Sequence, residues 1–523
     1  VNVIAFHVQH DASVAVAIDG QLAVVLELER LFGVRYFESA ADPAQFEAQW
    51  REAISAVCDF VGTREFDVAV TSWVPPSQRA ILQRLVQAAE WRKVSHHRAH
   101  ALHGHCDAPF ERSLVLSYDG GGNDGTFRVF AGDPRGLHAL ETIRLNLGTP
   151  YRLLATTMPE VTGRRPQPRA GSLALSGKLM AYAALGRVRE SWLDGLREYY
   201  ENYNEPRQAL DALSDSLGLD LEADSLDEPT ARDLAASSQE AFMRCLDAIA
   251  DRFAHVEHDG LVLTGGCALN VVANQRLRER WRRPVHVPPA PNDAGIAVGA
   301  LWDVARPTTG PSVFCGLPLV RDVSERELGA RGARRCSQRE LASVLASGAF
   351  VGVAADRAEH GPRALGHRSI LALAGGAEVR QRINQQIKSR EWYRPVAPVV
   401  RASDAQRYFD GAVDAPYMSF APRLREDAAR RFAAIAHVDA TARVQTVNPG
   451  SLLHELLDAL DALGREPLLV NTSFNIRARP LIHRRSEALE ALNQTALDFA
   501  WIDGWLVPKS IHSASEFAAM EQR

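Results

Sequence analysis

Apolar and polar residues alternate from Val1 to Leu26 in two runs joined by Asp19-Gly20, the pattern of antiparallel strands closed by a tight hairpin. His10-Asp11-Ala12-Ser13 falls in the loop between the first two strands. The arrangement then returns: an apolar run from Leu114 to Tyr118, the turn Asp119-Gly120-Gly121-Gly122, and a strand-like stretch from Thr126 to Ala131. A strand, an Asp-bearing loop and a returning strand, occurring twice, predict an internal duplication with two matched loops facing one cleft. Residues 178–255 read as helical, with long Leu/Ala/Glu/Arg stretches at Glu190 to Glu198 and Ala231 to Phe253. Gly260 to Leu263 reads as a strand that turns at Thr264-Gly265-Gly266 and runs into Asn270, a layout that can bring backbone N–H groups against a phosphate or nucleoside. Pro307 to Gly332, rich in Pro, Gly and Arg, is the candidate linker. Strands around Phe350–Ala354 and Leu468–Val470 alternate with helices beyond it, so a second α/β unit is expected.

Composition narrows the class. The 523 residues are 46% hydrophobic and 24% charged, ordinary for a globular protein and contrary to wholesale disorder. The net charge of −5 argues against a broad nucleic-acid footprint, while leaving room for a local basic pocket. There is no apolar run of the roughly 18 residues needed to cross a bilayer and no basic-then-apolar leader at the start, so no membrane partner and a cytoplasmic setting are expected. Six scattered cysteines without a C-x-x-C spacing fit reduced, buried thiols.

Two constellations carry chemistry. In His96-His97-Arg98-Ala99-His100, two histidines stand at i and i+4, on one face of a helix and close enough to bind one metal, or else in a solvated His-rich turn. Asp119 opens the glycine turn and Asp293 follows Pro288-Pro289-Ala290-Pro291-Asn292; either alone reads as a cap or turn residue. Two imidazoles with two carboxylates suit Fe(II), Mn(II) or Zn(II). The second half gathers Arg363 and Arg368 around His367, then Lys388, Arg390 and Arg394, then Arg443 near Thr441. Cations set among glycines, prolines and apolar residues suggest a pocket for a phosphorylated substrate, the alternative being surface pairs with Glu391 and Asp439. Asn471-Thr472-Ser473-Phe474-Asn475 places small polar side chains at a strand end. No P-loop, H-E-x-x-H helix or G-x-S-x-G elbow is present.

Taken in order, the motifs H-D-A-S, H-H-R-A-H, D-G-G-G, S-G-K-L-M, G-G-C-A-L-N, N-D-A-G, G-P-R-A-L-G-H-R-S, K-S-R-E-W-Y-R-P, T-A-R-V-Q and N-T-S-F-N resemble the NodU/CmcH family of O-carbamoyltransferases along nearly the whole chain. The resemblance implies an α/β protein of two domains. Residues 1–325 would form an actin-like ATPase domain of the variant used by tRNA threonylcarbamoyl transferases, and residues 326–523 a YrdC-like domain. It implies that carbamoyl phosphate and ATP, with Mg, give carbamoyl-AMP in the second domain. The first domain would then pass the carbamoyl group to a hydroxyl of a small natural-product acceptor, such as an antibiotic precursor. On this resemblance His96, His100, Asp119 and Asp293 would hold a metal, Fe(II) or else Mn or Zn. Gly120, Gly121, Lys178, Gly265, Gly266 and Asn270 would bind nucleotide. His10, the candidate general base because deprotonating an alcohol needs a group titrating near neutrality, and Asp11 would stand at the acceptor site. Arg363, Lys388, Arg390, Arg394, Thr441, Arg443, Ser473 and Asn475 would bind carbamoyl phosphate and ATP.

The chain departs from the family at Ser176, at Val34-Arg35-Tyr36 and at Ala478-Arg479-Pro480. The first two departures are assigned to the acceptor-facing domain, with acceptor selectivity expected in loops Arg35–Gln45 and Pro159–Gly171. An amine or a tRNA-type base is the alternative acceptor. A non-enzymatic nucleotide switch is a further reading, one that has no use for the second cationic pocket.

Overall fold

The computed structural model describes residues 1–165, 172–203, 205–222, 225–307, 310, 312–411, 413–476 and 478–509. It divides into two compact units, the first built from Val1–Ala23 and Glu38–Pro311, the second from Val24–Phe37 and Ser312–Arg523.

The first unit carries the duplication in its strand order. Strands β1 (Val3–His7), β2 (Ser13–Ile18) and β3 (Gln21–Glu27) form a meander, joined by β4 (Glu65–Thr71) and β5 (Gln87–Lys93) in the order β3-β2-β1-β4-β5. Strands β6 (Ser113–Gly122), β7 (Gly125–Asp133) and β8 (Gly136–Thr142) repeat the meander, joined by β9 (Gly260–Thr264) and β10 (Val285–His286) in the order β10-β9-β6-β7-β8. In each half the first strand pairs antiparallel with the second and parallel with the fourth. The Asp19-Gly20 turn has positive φ at both residues, as a tight primed hairpin requires.

Each half also sends a helix back after its last strand, His96–Asp107 in one and Ile296–Trp302 in the other, and the two pack together. They meet at Gly299, where a Cβ would stand 1.8 Å from the Ala99 carbonyl oxygen. Only a bare backbone permits that approach. The crossing sets the helix bearing His96 and His100 against the helix that begins just after Asp293.

The predicted helical stretch resolves into several helices, including Ala174–Ala183, Leu193–Glu201, Pro206–Leu217 and Glu228–Arg252. Gly260–Thr264 is a strand, its turn a short 3-10 segment, and the helix starts at Val271, capped by the Asn270 side chain.

The second unit is built on an eight-stranded mixed sheet, in the order Arg334–Arg335, Trp505–Pro508, Phe499–Ile502, Val351–Ala354, Arg368–Leu373, Leu469–Ser473, Ala397–Arg401, Gln445–Val447. Helices Gln338–Ala346 and Leu452–Ala462 bury Leu341, Leu345, Leu453 and Leu457 in one core with Val351, Leu371 and Leu469 of the sheet.

The division differs from the one expected at residue 325. The stretch expected as a linker belongs, from Ser312 on, to the second unit: the N–H groups of Gly316, Leu319 and Val320 donate to the carbonyls of Ala358, Asp356 and His483, and Leu328 is buried. Its Pro and Gly content serves an irregular but hydrogen-bonded path. Residues 24–37 also leave the first unit, which moves Val34-Arg35-Tyr36 away from the domain to which it was assigned. All six cysteines are free, and all except Cys106 are buried. Among the described residues no helix is long and apolar enough to cross a membrane.

Candidate functional site

In the first unit the helix His96–Asp107 places His96 and His100 one turn apart, with their Nε2 atoms 3.2 Å from each other. Asp119 Oδ2 lies 3.2 Å from His100 Nε2 and 3.7 Å from His96 Nε2; Asp293 Oδ1 lies 3.3 and 3.8 Å from the same two atoms. The four donor atoms fall within 4.8 Å of one another, a spacing that a single metal ion can bridge. His100 Nδ1 is buried and has no hydrogen-bond partner. The donors are hard to borderline, with no thiolate among them, so the site fits a divalent ion such as Fe(II), Mn(II) or Zn(II).

The sequence builds this cluster from both halves of the duplication. Asp119 ends the apolar part of β6, and its carboxylate accepts from the N–H groups of Gly120 (2.6 Å) and Gly266 (2.8 Å). Gly266 can reach it because Gly265 adopts φ +90°, with its Cα against the Tyr118 carbonyl, where a Cβ would stand at 2.1 Å. Asn123 Oδ1 and Asp124 Oδ1, in the turn after the glycines, accept from the N–H groups of His96 and His97 and so cap the histidine helix. His97 is buried, bonded to Ser117 Oγ and the Gly125 carbonyl. Burial first, then His96 and His100, lower its pKa to about 4.

The H-D-A-S loop grips the N-D-A-G segment. Asp11 Oδ2 accepts from Asn292 Nδ2 (3.1 Å), and Ser13 Oγ donates to the Ala294 carbonyl (3.1 Å). His10, 42% exposed at its side chain, sets Nδ1 3.5 Å from Asp11 Oδ2 and Nε2 3.5 Å from Asp293 Oδ2. Burial alone would lower its pKa, but Asp293, Asp11 and Asp119 outweigh burial and push it up to about 10. His100 is raised to about 9, its two carboxylate partners overcoming burial. Asp119 is held well below the usual carboxylate range: burial and Asp293 push it up, and hydrogen bonds with His100 and His96 more than offset both. The two carboxylates thus favour positive charge at this point, the role that a cation held between them would fill.

The expected nucleotide residues are dispersed around this centre. The Gly120 carbonyl accepts from Asn146 Nδ2 and Thr149 Oγ1, whereas Gly121 has open space around it. The Gly266 N–H is already engaged by Asp119. The Asn270 amide pairs with Gln239 and caps its helix, so its polar atoms are spent within the chain. Lys178 Nζ reaches the Val161 carbonyl at 3.3 Å. The nearby loop Pro159–Gly171 lies outside the described residues from 166 to 171.

The second unit gathers a different site. Lys388 is buried, and its Nζ donates to the Ser473 carbonyl (2.8 Å) and Oγ (3.2 Å), the Asn475 carbonyl (3.2 Å) and Asn475 Oδ1. Arg390 Nε donates to Asn384 Oδ1 at 2.7 Å, and Arg394 stands 3.6 Å from Glu391. Arg443 Nε is buried without a partner, and Thr441 Oγ1 donates to Asp439 Oδ1 at 2.7 Å. Burial and then neighbouring guanidinium groups lower Arg363 to about 10 and Arg390 to about 9, and hold Lys388 and Arg443 well below their usual ranges. Cations lowered by burial and by like charges beside them form a site that gains free energy when an anion arrives.

Two expectations change here. Arg368 does not join the cluster: it is buried and donates to the carbonyls of Ala355, His367 and Asp356, bracing its own loop. Arg35, expected near the acceptor, is instead among the charges that depress Arg363 and Lys388. Its segment is tied to the Arg363 loop by Arg30, which donates to Glu27 and to the carbonyls of Glu359 and Gly361, and by Glu27, which accepts from the Gly361 N–H.

The α/β scaffold thus carries a cluster that could hold a metal in the first unit and a cationic cluster in the second. The Carbamoyltransferase N-terminus family matches residues 9–302 and the Carbamoyltransferase C-terminus family residues 342–509. The chain belongs to the carbamoyltransferase family. Nodulation protein U of Rhizobium tropici is 32% identical over 80% of this chain and 76% of its own. The 3'-hydroxymethylcephem-O-carbamoyltransferase of Amycolatopsis lactamdurans is 30% identical over 93% of this chain and 95% of its own. Among solved structures, full-length HypF in its phosphate- and nucleotide-bound form aligns at TM-score 0.38 and 15% identity, over 60% of this chain and 47% of that one.

Proposed function

We propose that this carbamoyltransferase works in two steps, each in its own unit. Carbamoyl phosphate and ATP react in the second unit to give carbamoyl-AMP, releasing phosphate and pyrophosphate. The first unit then transfers the carbamoyl group to a hydroxyl of a small natural product, and AMP leaves. The observation that carries this reading is the gathering of Arg363, Lys388, Arg390 and Arg443 near Arg394, each lowered first by burial and then by neighbouring cations, which suits a highly charged phosphorylated pair better than one neutral substrate. The hydroxyl acceptor is supported by the cephem relative, whose name also places it in antibiotic chemistry.

In the second unit Arg363 and Arg443 offer planar forks to paired phosphate oxygens, and Lys388 offers a point charge held in place by Ser473 and Asn475. In the first unit Asp11 faces Nδ1 of His10 and Asp293 faces Nε2, the nitrogen that would take the proton of the attacking hydroxyl. A divalent ion held by His96, His100, Asp119 and Asp293 would supply positive charge beside a phosphoryl oxygen and offset charge on the departing AMP. Neutralising Asp119 and Asp293 would also weaken the pull that raises His10, leaving that of Asp11. Gly120, Gly121 and Lys178 would face the nucleotide.

The test is incubation of the purified protein with ATP, Mg, carbamoyl phosphate and a panel of polyhydroxylated metabolites, followed by mass spectrometry. Pyrophosphate formation that depends on carbamoyl phosphate, together with an acceptor heavier by one carbamoyl group, is expected. Transfer without consumption of ATP would overturn the adenylate.

A further inference from the structure

His7 closes β1 with a buried side chain, and nothing in the two-step scheme uses it. Three contacts fix the ring. Its Nδ1 lies 3.0 Å from Ser72 Oγ, and its Nε2 lies 3.1 Å from the His10 carbonyl oxygen and 3.4 Å from Asp293 Oδ2. A carbonyl oxygen can only accept, so Nε2 carries the hydrogen and shares it between His10 and Asp293. The Ser72 hydroxyl can turn its own hydrogen to Nδ1, which locks the ring plane.

The consequence falls on Asp293. With Oδ2 engaged by His7, Oδ1 is the oxygen presented to His100 Nε2 at 3.3 Å and His96 Nε2 at 3.8 Å. The same N–H holds the backbone of His10, whose ring also faces Asp293 Oδ2. One donor therefore sets both the orientation of a candidate metal ligand and the seat of the acceptor-facing histidine. Asn292 and Ala294, gripped by Asp11 and Ser13, hold the segment on either side.

We infer that His7 is a positioning residue, an outer partner that aims the Asp293 carboxylate at the His96–His100 pair for a divalent cation and fixes the His10 loop beside it. The inference rests on the reading of His96, His100, Asp119 and Asp293 as a metal site. Outer partners of this kind change metal affinity by about 10- to 100-fold when removed.

The experiment measures Mn(II) binding to the full chain by equilibrium dialysis, with free Mn(II) read by electron paramagnetic resonance. His7→Ala is expected to weaken binding by about 10- to 100-fold. His7→Gln is expected to recover most of it, because a carboxamide can donate from nitrogen to Asp293 while accepting from Ser72. Ser72→Ala, which keeps the imidazole and frees its rotation, is expected to weaken binding by several-fold, and it carries the test should His7→Ala fail to fold. Affinity unchanged in both His7→Ala and Ser72→Ala overturns the inference. So does a folded His7→Gln protein that binds as poorly as His7→Ala, since the contact would then be packing. Wild-type protein that binds no Mn(II) overturns the metal reading itself, and that outcome is separate from the others.

Discussion

His96 Nε2 and His100 Nε2 face each other at 3.2 Å across one turn of helix. Two imidazole nitrogens approach this closely only with a proton or a cation between them, and Asp119 and Asp293 complete the surroundings expected of the cation. Replacing His100 by Ala or Asp119 by Asn is expected to abolish stoichiometric metal retention, measured by elemental analysis after dialysis. Carbamoyl transfer should fall with it, while pyrophosphate formation in the second unit persists. Full metal content in both variants would remove this cluster as the metal site.

Lys388 and Arg443 are assigned to the other half-reaction. Each is expected to contribute a charge-assisted contact to phosphate, so Lys388→Ala or Arg443→Ala should slow adenylate formation by at least about 10- to 100-fold. Transfer from supplied carbamoyl-AMP should be untouched, as read by product mass. Equal loss in both steps would mean that the two units do not divide the chemistry.

Arg35 gives a sharper version of the same test. It bears on Arg363 and Lys388, although it lies far from them in sequence. Arg35→Ala should raise KM for the phosphorylated donors by about 10-fold with the acceptor KM unchanged, in keeping with the loss of one charged contact. A shift confined to the acceptor would return this residue to the role first expected of it.

Asp124 caps the histidine helix from a hairpin turn and also pairs with Arg128 at 2.9 Å. Asp124→Ala should cost about 1 kcal/mol through the lost cap. Thermal unfolding should start at lower temperature, and Mn(II) affinity should fall because the ligands of the first turn fray. A variant with unchanged melting would show that the cap contributes nothing.

His483 supplies the pH dependence. It is buried in the second unit, and burial, then Arg368, Arg484 and Arg30, lower its pKa to about 3. The unfolded chain takes up a proton near pH 6.5 and the folded one does not, so this group favours folding above about 6.5 and opposes it increasingly as pH falls toward 3. The slope approaches about 1.4 kcal/mol per pH unit in that window. Urea unfolding of wild type and His483→Gln between pH 7 and 4 should show a shallower loss for the variant. Parallel curves would contradict it.

Local periodicity made the first hairpin legible, Asp19-Gly20 lying where alternation breaks, whereas the turn expected at Asp119-Gly120-Gly121-Gly122 stands at Asn123-Asp124, the glycines continuing β6. The four residues that could hold a metal were legible because His96 and His100 share a helical face, while Asp119 opens a glycine stretch and Asp293 follows a Pro-rich one. His7 was not, since a lone histidine in a strand reads as core and its partners Ser72 and Asp293 are distant in sequence. Arg368 was misread because cation count cannot distinguish a guanidinium facing a pocket from one spent on carbonyls. The stretch after Ser312 was misread because Pro and Gly mark irregular backbone equally well in a linker and in a packed, hydrogen-bonded path. Asn123 and Asp124 carried a turn signal, but nothing local showed that they cap a helix begun before them.

The second unit takes residues 24–37 from early in the chain and the remainder from Ser312 onward. During synthesis the segment with Glu27, Arg30 and Arg35 leaves the ribosome long before Gly361 and Arg363 exist to receive it. It must therefore stay unsatisfied until residues 359–363 have been made. A cut at any single peptide bond cannot liberate that unit whole, so recombination could exchange it between relatives only by carrying both pieces together.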